Sequence, residues 1–352
     1  MRSRAGGTEG GVDAAAVRHG VEVLLRGGLV AFPTETVYGL GADADQPDAI
    51  AAIFRAKGRP RAHPLIVHVA DAAAVAGWAR EIPAAARALM KQFWPGPLTL
   101  ILPRTARACD ALTGGQDTVG LRCPVNPWAQ SLLRGLCAAR HDDTSAIAAP
   151  SANRYGRISP TRAAHVRADL GEKPGGLVDF ILDGGASALG IESTIVDFAA
   201  GGVRILRPGS IGRAQIGAAL GAAVAIAADA EPAPRASGRV AGHYAPRKLL
   251  ELVGPADLAA RVSQLRPLPL AVLAPPEQLR RLPAGDLAMH IAAAAAPAEY
   301  AHALYDALRQ LDASAAERLL VAIPPSGEPW EAVHDRLRRA AAGSQSRIID
   351  AD

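Results

Sequence analysis

The stretch AKGRPRAHPLIVHV (56–69) sets three cations at alternate positions, Lys57, Arg59 and Arg61, ahead of a short apolar run that contains His68. Leu65, Ile66 and Val67 read as a buried strand. His68 alternates with Val67 and Val69, so it faces the other side of that strand. Just upstream, PDAIAAIFRAKG (47–58) has the marks of a helix, with Pro47 in its first turn and Gly58 as its stop. Lys57 and Arg59 then stand at a helix C-terminus. There they either complement the helix dipole as solvated charges or clamp an anion.

Working outward, similar punctuation runs from about residue 12 to 222. GGLVAF (27–32) is an apolar run ending at Pro33, PLTLIL (97–102) is a strand, and DTVGLRCP (117–124) is another closed by Pro124. SPTRAAHVRADLG (159–171) opens a helix, with Ser159 as its expected N-cap and Pro160 at the first helical position. GIESTIVDF and VRILRPG add two strands. Residues 223–246 are rich in Ala, Pro, Gly and Arg without period and read as a linker. From 247 to 352 strands and helices alternate: LLELV, helix 255–265, PLAVLA, helix 276–282, a weak strand near 287–291, helix 297–312, RLLVAI and helix 329–342. That alternation predicts a parallel sheet covered by helices. It contains no G-x-G-x-x-G, so a Rossmann-like shape there assigns no dinucleotide, and no site is visible in this part.

The chain has 352 residues, 49% of them hydrophobic, 20% charged and 4% aromatic, with a formal net charge of +4. This supports packed cores in two units and argues against a general coat of basic charge for nucleic acid. Cys109, Cys123 and Cys137 have no C-x-x-C spacing, so neither a zinc ribbon nor a dithiol redox motif is indicated, and the sparse, odd set fits a reducing compartment. The start, MRSRAGGTEGG, lacks the apolar core of a secretory signal, and no apolar run is long enough to span a bilayer. The expectation is a soluble, cytoplasmic protein.

Polar motifs cluster at the ends of the expected strands. FPTETVYGLG (32–41) places Thr34, Glu35, Thr36 and Tyr38 after a buried strand, where open α/β sheets collect ligands. Alone, it could equally be an ordinary polar turn. Thr118 and Arg122, four residues apart, share a strand face. Arg122 is either a bidentate grip on a carboxylate or a surface arginine on an edge strand. Ser151 and Asn153 follow a small-residue strand, Ser193 and Thr194 stand in GIESTIVD, and Arg207 ends VRILR. There is no Ser-His-Asp order, no paired-carboxylate pattern and no metal-ligand cluster. Cations and hydroxyls in this number suit phosphate and carboxylate binding, with catalysis by positioning and charge neutralisation.

Lys57-Gly-Arg59 with Ser151-Ala-Asn153, together with FPTETVYGLG, PLIVHV, WPGPLTLIL, TVGLR, APSAN, ESTIVD and LRPG in that order, resembles the YrdC-like threonylcarbamoyl-AMP synthase family over nearly all of residues 20–213. GHYAP (242–246) and the α/β tail resemble the long, two-domain form. The resemblance implies a YrdC-type twisted sheet lining a large basic cavity (12–222), a linker crossing that cavity (223–246), and a smaller Rossmann-like domain (247–352). It implies synthesis of threonylcarbamoyl-AMP from L-threonine, bicarbonate or CO2, and ATP with Mg2+, releasing pyrophosphate. It also implies downstream transfer proteins that modify tRNA, and a weak contact with tRNA itself. By motif, Thr36, His68, Arg122, the Ala149 backbone and Ser193 go to threonine. Arg59, Thr118, Ser151, Asn153, Ser159, Arg207 and Tyr244 go to ATP, with Lys57 and Arg59 as the catalytic cations. His63, where many relatives have Asn, joins the ATP set. No dedicated metal ligands are implied. Two other readings stay open: a carbamoyl-transfer domain of the hydrogenase-maturation kind, and a basic RNA-binding module. The first lacks its zinc-finger cysteines here, and the second lacks interleaved aromatics.

Overall fold

The computed structural model describes residues 11–199, 202–228, 233–238, 242–283 and 287–349. Residues 229–232 and 239–241 of the expected linker therefore lie outside the described residues. The strands are β1 (Val30–Pro33), β2 (Tyr38–Asp43), β3 (Ile66–Val69), β4 (Leu98–Pro103), β5 (Thr118–Arg122), β6 (Ala146–Ala148), β7 (Phe180–Ile181), β8 (Thr194–Asp197), β9 (Arg204–Arg207) and β10 (Ala225–Ile226). They form one mixed, ten-stranded sheet in the order β10-β9-β8-β4-β5-β3-β6-β2-β1-β7. β5 runs between β4 and β3, so Arg122 sits on a central strand and the edge-strand reading falls away. The stretch after β1, open to reading as a plain turn, is a four-residue reversal at 34–37 followed by β2, which returns antiparallel along β1.

The helix Pro47–Lys57 forms as its punctuation requires. Proline opens it, and Gly58 closes it at φ 64°, a left-handed conformation that favours glycine. Its buried face carries Ile50, Ile53, Phe54 and Lys57, the i, i+3, i+4, i+7 stripe of an amphipathic helix. Lys57 is thus delivered into the core side of the sheet.

One sequence expectation fails here. The helix after Ser159 spans Ala163–Asp169 and is preceded by Arg162, so Ser159 is not its N-cap. The Ser159 hydroxyl instead donates to Glu192 Oε1 at 2.5 Å, a charge-assisted bond that a cap to backbone N–H cannot match.

The second sheet contains β11 (Leu249–Val253), β12 (Leu270–Ala274), β13 (Leu287–Ala292) and β14 (Arg318–Ala322), all parallel, in the order β11-β14-β12-β13. The helices Pro297–Ala313 and Glu331–Ile349 link it to the first sheet. One apolar cluster joins Val37, Ile158, Ile191 and Tyr244 to Tyr305, Leu308, Val333 and Leu337. The two units are fused through a common core, and Tyr244 of the linker lies within it. No helix among the described residues is long and apolar enough to cross a membrane.

Candidate active site

The turn at 34–37 is held by its own side chain. Thr34 Oγ1 accepts from the Thr36 and Val37 backbone N–H groups, both at 3.2 Å, and donates to the Val37 carbonyl at 2.6 Å. This aims Thr36 and Glu35 at Arg122, which donates Nη1 to Thr36 Oγ1 at 2.9 Å and Nη2 to Glu35 Oε1 at 2.6 Å. Arg122 and Glu35 are both buried. A guanidinium has five N–H donors. Those two bonds leave others open, and Nε is buried with no partner. The arginine is thus braced from one side and still able to grip a carboxylate from another.

His68 lies beside Arg122 on the neighbouring strand, pairing with it in register. Its Nδ1 is 3.2 Å from the Ile66 carbonyl. A carbonyl only accepts, so Nδ1 carries the proton and Nε2 is an acceptor. Burial, reinforced by the Arg122 charge, pulls its pKa from 6.5 to about 3, so the imidazole is neutral.

Lys57 donates to the carbonyls of Ser151 and Asn153 at 2.6 and 2.5 Å. It is buried, not solvated, and burial followed by the nearby Arg59 charge pushes its pKa well below 10.5. Arg59 donates to the Pro64 carbonyl at 2.9 Å, lies 5.9 Å from the Tyr155 ring centroid, and is drawn down to about 10 by burial. Arg207 donates to the Ser193 carbonyl at 3.0 and 2.9 Å, to Ser193 Oγ at 3.0 Å and to the Ser237 carbonyl at 3.0 Å. Among the described residues none of these three cations is in an ion pair with a carboxylate.

Thr36, His68, Arg122, Ala149, Ser151, Ser193, Arg207 and Tyr244 all line one cavity. The remaining choices are not among its lining residues, and these include Lys57 and Arg59; Lys57 reaches the wall only from behind, through the Ser151 carbonyl. Thr118 is at the far end of β5 from Arg122, about 13 Å along the strand at ~3.3 Å per residue. His63 is half-buried in the loop after Arg59, its Nε2 3.5 Å from the Tyr155 hydroxyl. Asn153 turns its side-chain amide to the Arg154 and Arg157 carbonyls. Ser159 is bonded behind the wall to Glu192.

The expectation of a large cavity does not describe this conformation. The linker residues Ser237, His243 and Tyr244 fill it, leaving about 40 Å3. That is room for one or two waters, against the ~300–1,000 Å3 of ligand pockets. Tyr244 adopts φ 62°, outside the regions a bulky residue favours. The segment is anchored where the Ala245 N–H donates to the Gly156 carbonyl at 2.9 Å. A larger open cleft of about 930 Å3 between the two units is lined by Arg154, Arg157, Arg309 and Asp312, and holds none of the residues chosen from the sequence.

Sequence reasoning missed Glu192, His243, Tyr305 and Arg336. Glu192 accepts from Ser159, from the Tyr305 hydroxyl at 2.8 Å and from Arg336 Nε at 2.8 Å. Burial opposes its charge, but Arg336, Arg207 and the Ser159 hydroxyl outweigh that and hold its pKa at about 2. Arg336 and Tyr305 belong to the C-terminal unit, which from sequence had no visible site. Their signal was position: Arg336 falls on the stripe Val333, Leu337, Ala340, where a cation is buried unless it has a reason to be elsewhere.

Comparison with known proteins agrees over both units. The Sua5/YciO/YrdC family model, described as "Telomere recombination", matches residues 22–209, and that for the "Threonylcarbamoyl-AMP synthase, C-terminal domain" matches 211–342. The chain is 40% identical to a threonylcarbamoyl-AMP synthase of Pyrococcus abyssi, over 70% of each chain. It is 37% identical to one of Bacillus subtilis, over 90% of each. It superposes on the crystal structure of P. abyssi Sua5 complexed with L-threonine with a TM-score of 0.82 and 33% identity, covering 93% of this chain and 94% of the other.

Proposed function

The chain belongs to the two-domain threonylcarbamoyl-AMP synthase family, and from that premise we propose that it joins L-threonine, bicarbonate or CO2, and ATP into threonylcarbamoyl-AMP with release of pyrophosphate. It is an adenylyl-transferring enzyme acting in the cytoplasm, and its product feeds the threonylcarbamoyl-transfer step of tRNA modification. The observation that carries this reading is the charge arrangement at one cavity, which Arg122 and Arg207 line and behind which Lys57 bonds the Ser151 carbonyl. Glu35 neutralises Arg122 and Glu192 neutralises Arg336, while Lys57, Arg59 and Arg207 bond to carbonyls and hydroxyls. Buried cations that make no carboxylate ion pair among the described residues suit a polyanionic ligand.

In this reading Arg122 receives the threonine carboxylate through its open N–H groups, steadied by Thr36 and Glu35. Neutral His68 offers Nε2 to the threonine hydroxyl. Once the amine is deprotonated it attacks CO2, and the carbamate oxygen then attacks the α-phosphorus of ATP, displacing pyrophosphate. Two anions must meet. At about 4 Å and an effective dielectric of about 20 their repulsion is roughly 4 kcal/mol, or about three powers of ten in rate. Lys57, Arg59 and Arg207 offset it. Mg2+ would travel on the triphosphate. No group of three or more His, Cys, Asp or Glu among the described residues could hold it, and the Glu35 and Glu192 carboxylates are engaged by arginines.

The filled cavity requires the linker to open before substrates enter. Its closure afterwards keeps water from a carbamate that decomposes readily. The reading is tested by incubating the protein with labelled bicarbonate, ATP and L-threonine. It expects a labelled adenylate whose mass includes threonine and which Arg122→Ala fails to form. Adenylate formation from carbamoyl phosphate in place of threonine plus bicarbonate would replace this reading by carbamoyl transfer.

A further inference from the structure

We propose that Arg336 is a positioning residue of this site, through which the C-terminal unit sets Ser193, Arg207 and the linker's Tyr244 in their working places; the proposal rests on the reaction assigned above. Arg336 is fully buried. Its Nε donates to Glu192 Oε2 at 2.8 Å and its Nη1 donates to the Pro208 carbonyl at 2.9 Å. Glu192 immediately precedes Ser193, and Pro208 immediately follows Arg207. One guanidinium therefore fixes the chain entering β8 and the chain leaving β9. Those are the two points from which Ser193 and Arg207 reach the cavity and each other.

The same group governs the linker. The Arg336 guanidinium carbon is 5.3 Å from the Tyr244 ring centroid. Tyr305, whose hydroxyl also donates to Glu192, stacks on Tyr244 at 5.7 Å and 27°. Cation–π attraction and stacking give the closed Tyr244 a platform made entirely of C-terminal side chains bonded to Glu192. Arg336 is itself steadied by Asp335 at 2.7 Å. An interdomain pair serving adhesion alone could sit anywhere on the shared core. This one sits directly behind two cavity-lining residues and under the segment that closes the cavity.

A structural role and a positioning role give different results in the full-length chain. Arg336→Met is compared with the parent in threonine-dependent pyrophosphate release, at a temperature where their near-UV circular dichroism spectra coincide. Removing the charged donor from Glu192 is expected to lower kcat/KM for ATP by about thirtyfold, and Arg336→Lys, which keeps the charge, to recover part of it. The double variant Glu192→Met with Arg336→Met removes both charges and is expected to regain the thermal midpoint while leaving kcat/KM low. The proposal is overturned by a folded Arg336→Met with kcat and the KM for ATP both within about twofold of the parent, or by a double variant that recovers midpoint and kcat/KM together. Should Arg336→Met not fold, Tyr305→Phe deletes one hydroxyl from the same carboxylate. A several-fold rise in KM supports the proposal, and unchanged kinetics overturns it. An active parent with unaffected variants sinks this proposal alone. A parent that binds neither ATP nor threonine by calorimetry sinks the reaction as well.

Discussion

Lys57 Nζ lies 2.6 Å from the main-chain oxygen of Ser151, ninety-four residues further along the chain. With the Asn153 carbonyl as a second acceptor, the ammonium ties the end of one helix to the turn after β6. The same lysine supplies positive charge behind the cavity. Lys57→Met is expected to leave the buried Asn153 carbonyl and the part-buried Ser151 carbonyl without this donor, costing about 1–3 kcal/mol of stability. It should lower threonine-dependent turnover by at least about a hundredfold. Denaturant unfolding and a turnover assay on the same preparation check both. Full activity in the variant would remove Lys57 from the mechanism.

Glu35 holds Arg122 at 2.6 Å, with both groups buried. Glu35→Gln keeps the shape and removes the counter-charge. The expected result is a weaker grip on threonine from a less well-fixed guanidinium, seen as a KM for threonine raised about tenfold, with a much smaller change for ATP. Steady-state kinetics with each substrate varied in turn reads this split. An equal effect on both substrates would mean that Glu35 supports the fold and not the threonine end.

Gly238 has φ 85°, and a Cβ there would lie 2.3 Å from the Tyr244 hydroxyl. Gly238→Ala is therefore expected to push Tyr244 from its closed seat. Tryptic cleavage within 233–246 should become faster, and turnover should fall while the thermal midpoint changes by only a few degrees. Unaltered proteolysis and kinetics would show that closure does not depend on this contact.

Acid should destabilise the protein early. Burial draws both His68 and His243 from 6.5 down to about 3. Between those values the unfolded chain binds up to two more protons than the folded one, so stability falls as pH drops. At full effect the loss is about 1.4 kcal/mol per proton per pH unit. Glu192, held at about 2 against 4.5, adds a loss confined to pH below about 4.5, because its stabilisation is complete above that value. Urea midpoints at about pH 7 and about pH 4.5 measure the histidine part. His68→Gln with His243→Gln should flatten it, and a midpoint indifferent to pH would contradict the assignment of buried neutral imidazoles.

What could be read in advance followed from local physics. Pro47 and Gly58 bracket a helix because one presets the first turn and the other tolerates the closing conformation. The C-terminal strands and helices alternate with a period that the parallel sheet reproduces. β2 was missed because its glycines, Gly39 and Gly41, dilute a strand signal that tertiary packing supplies. Ser159 was misplaced because a serine before proline resembles a cap, whereas its partner, Glu192, is thirty-three residues away. Glu192 and Arg336 were overlooked for the same reason. Each is buried beside a partner 144 residues distant that no local pattern names. Local pattern shows that a charge is buried; only the fold shows what neutralises it.

The most direct test of the account is pyrophosphate release from ATP in the presence of Mg2+ and bicarbonate, measured with and without L-threonine. The account predicts release that requires threonine and collapses in Arg122→Ala and Lys57→Ala. Release that ignores threonine, or that survives both substitutions in folded protein, would contradict it.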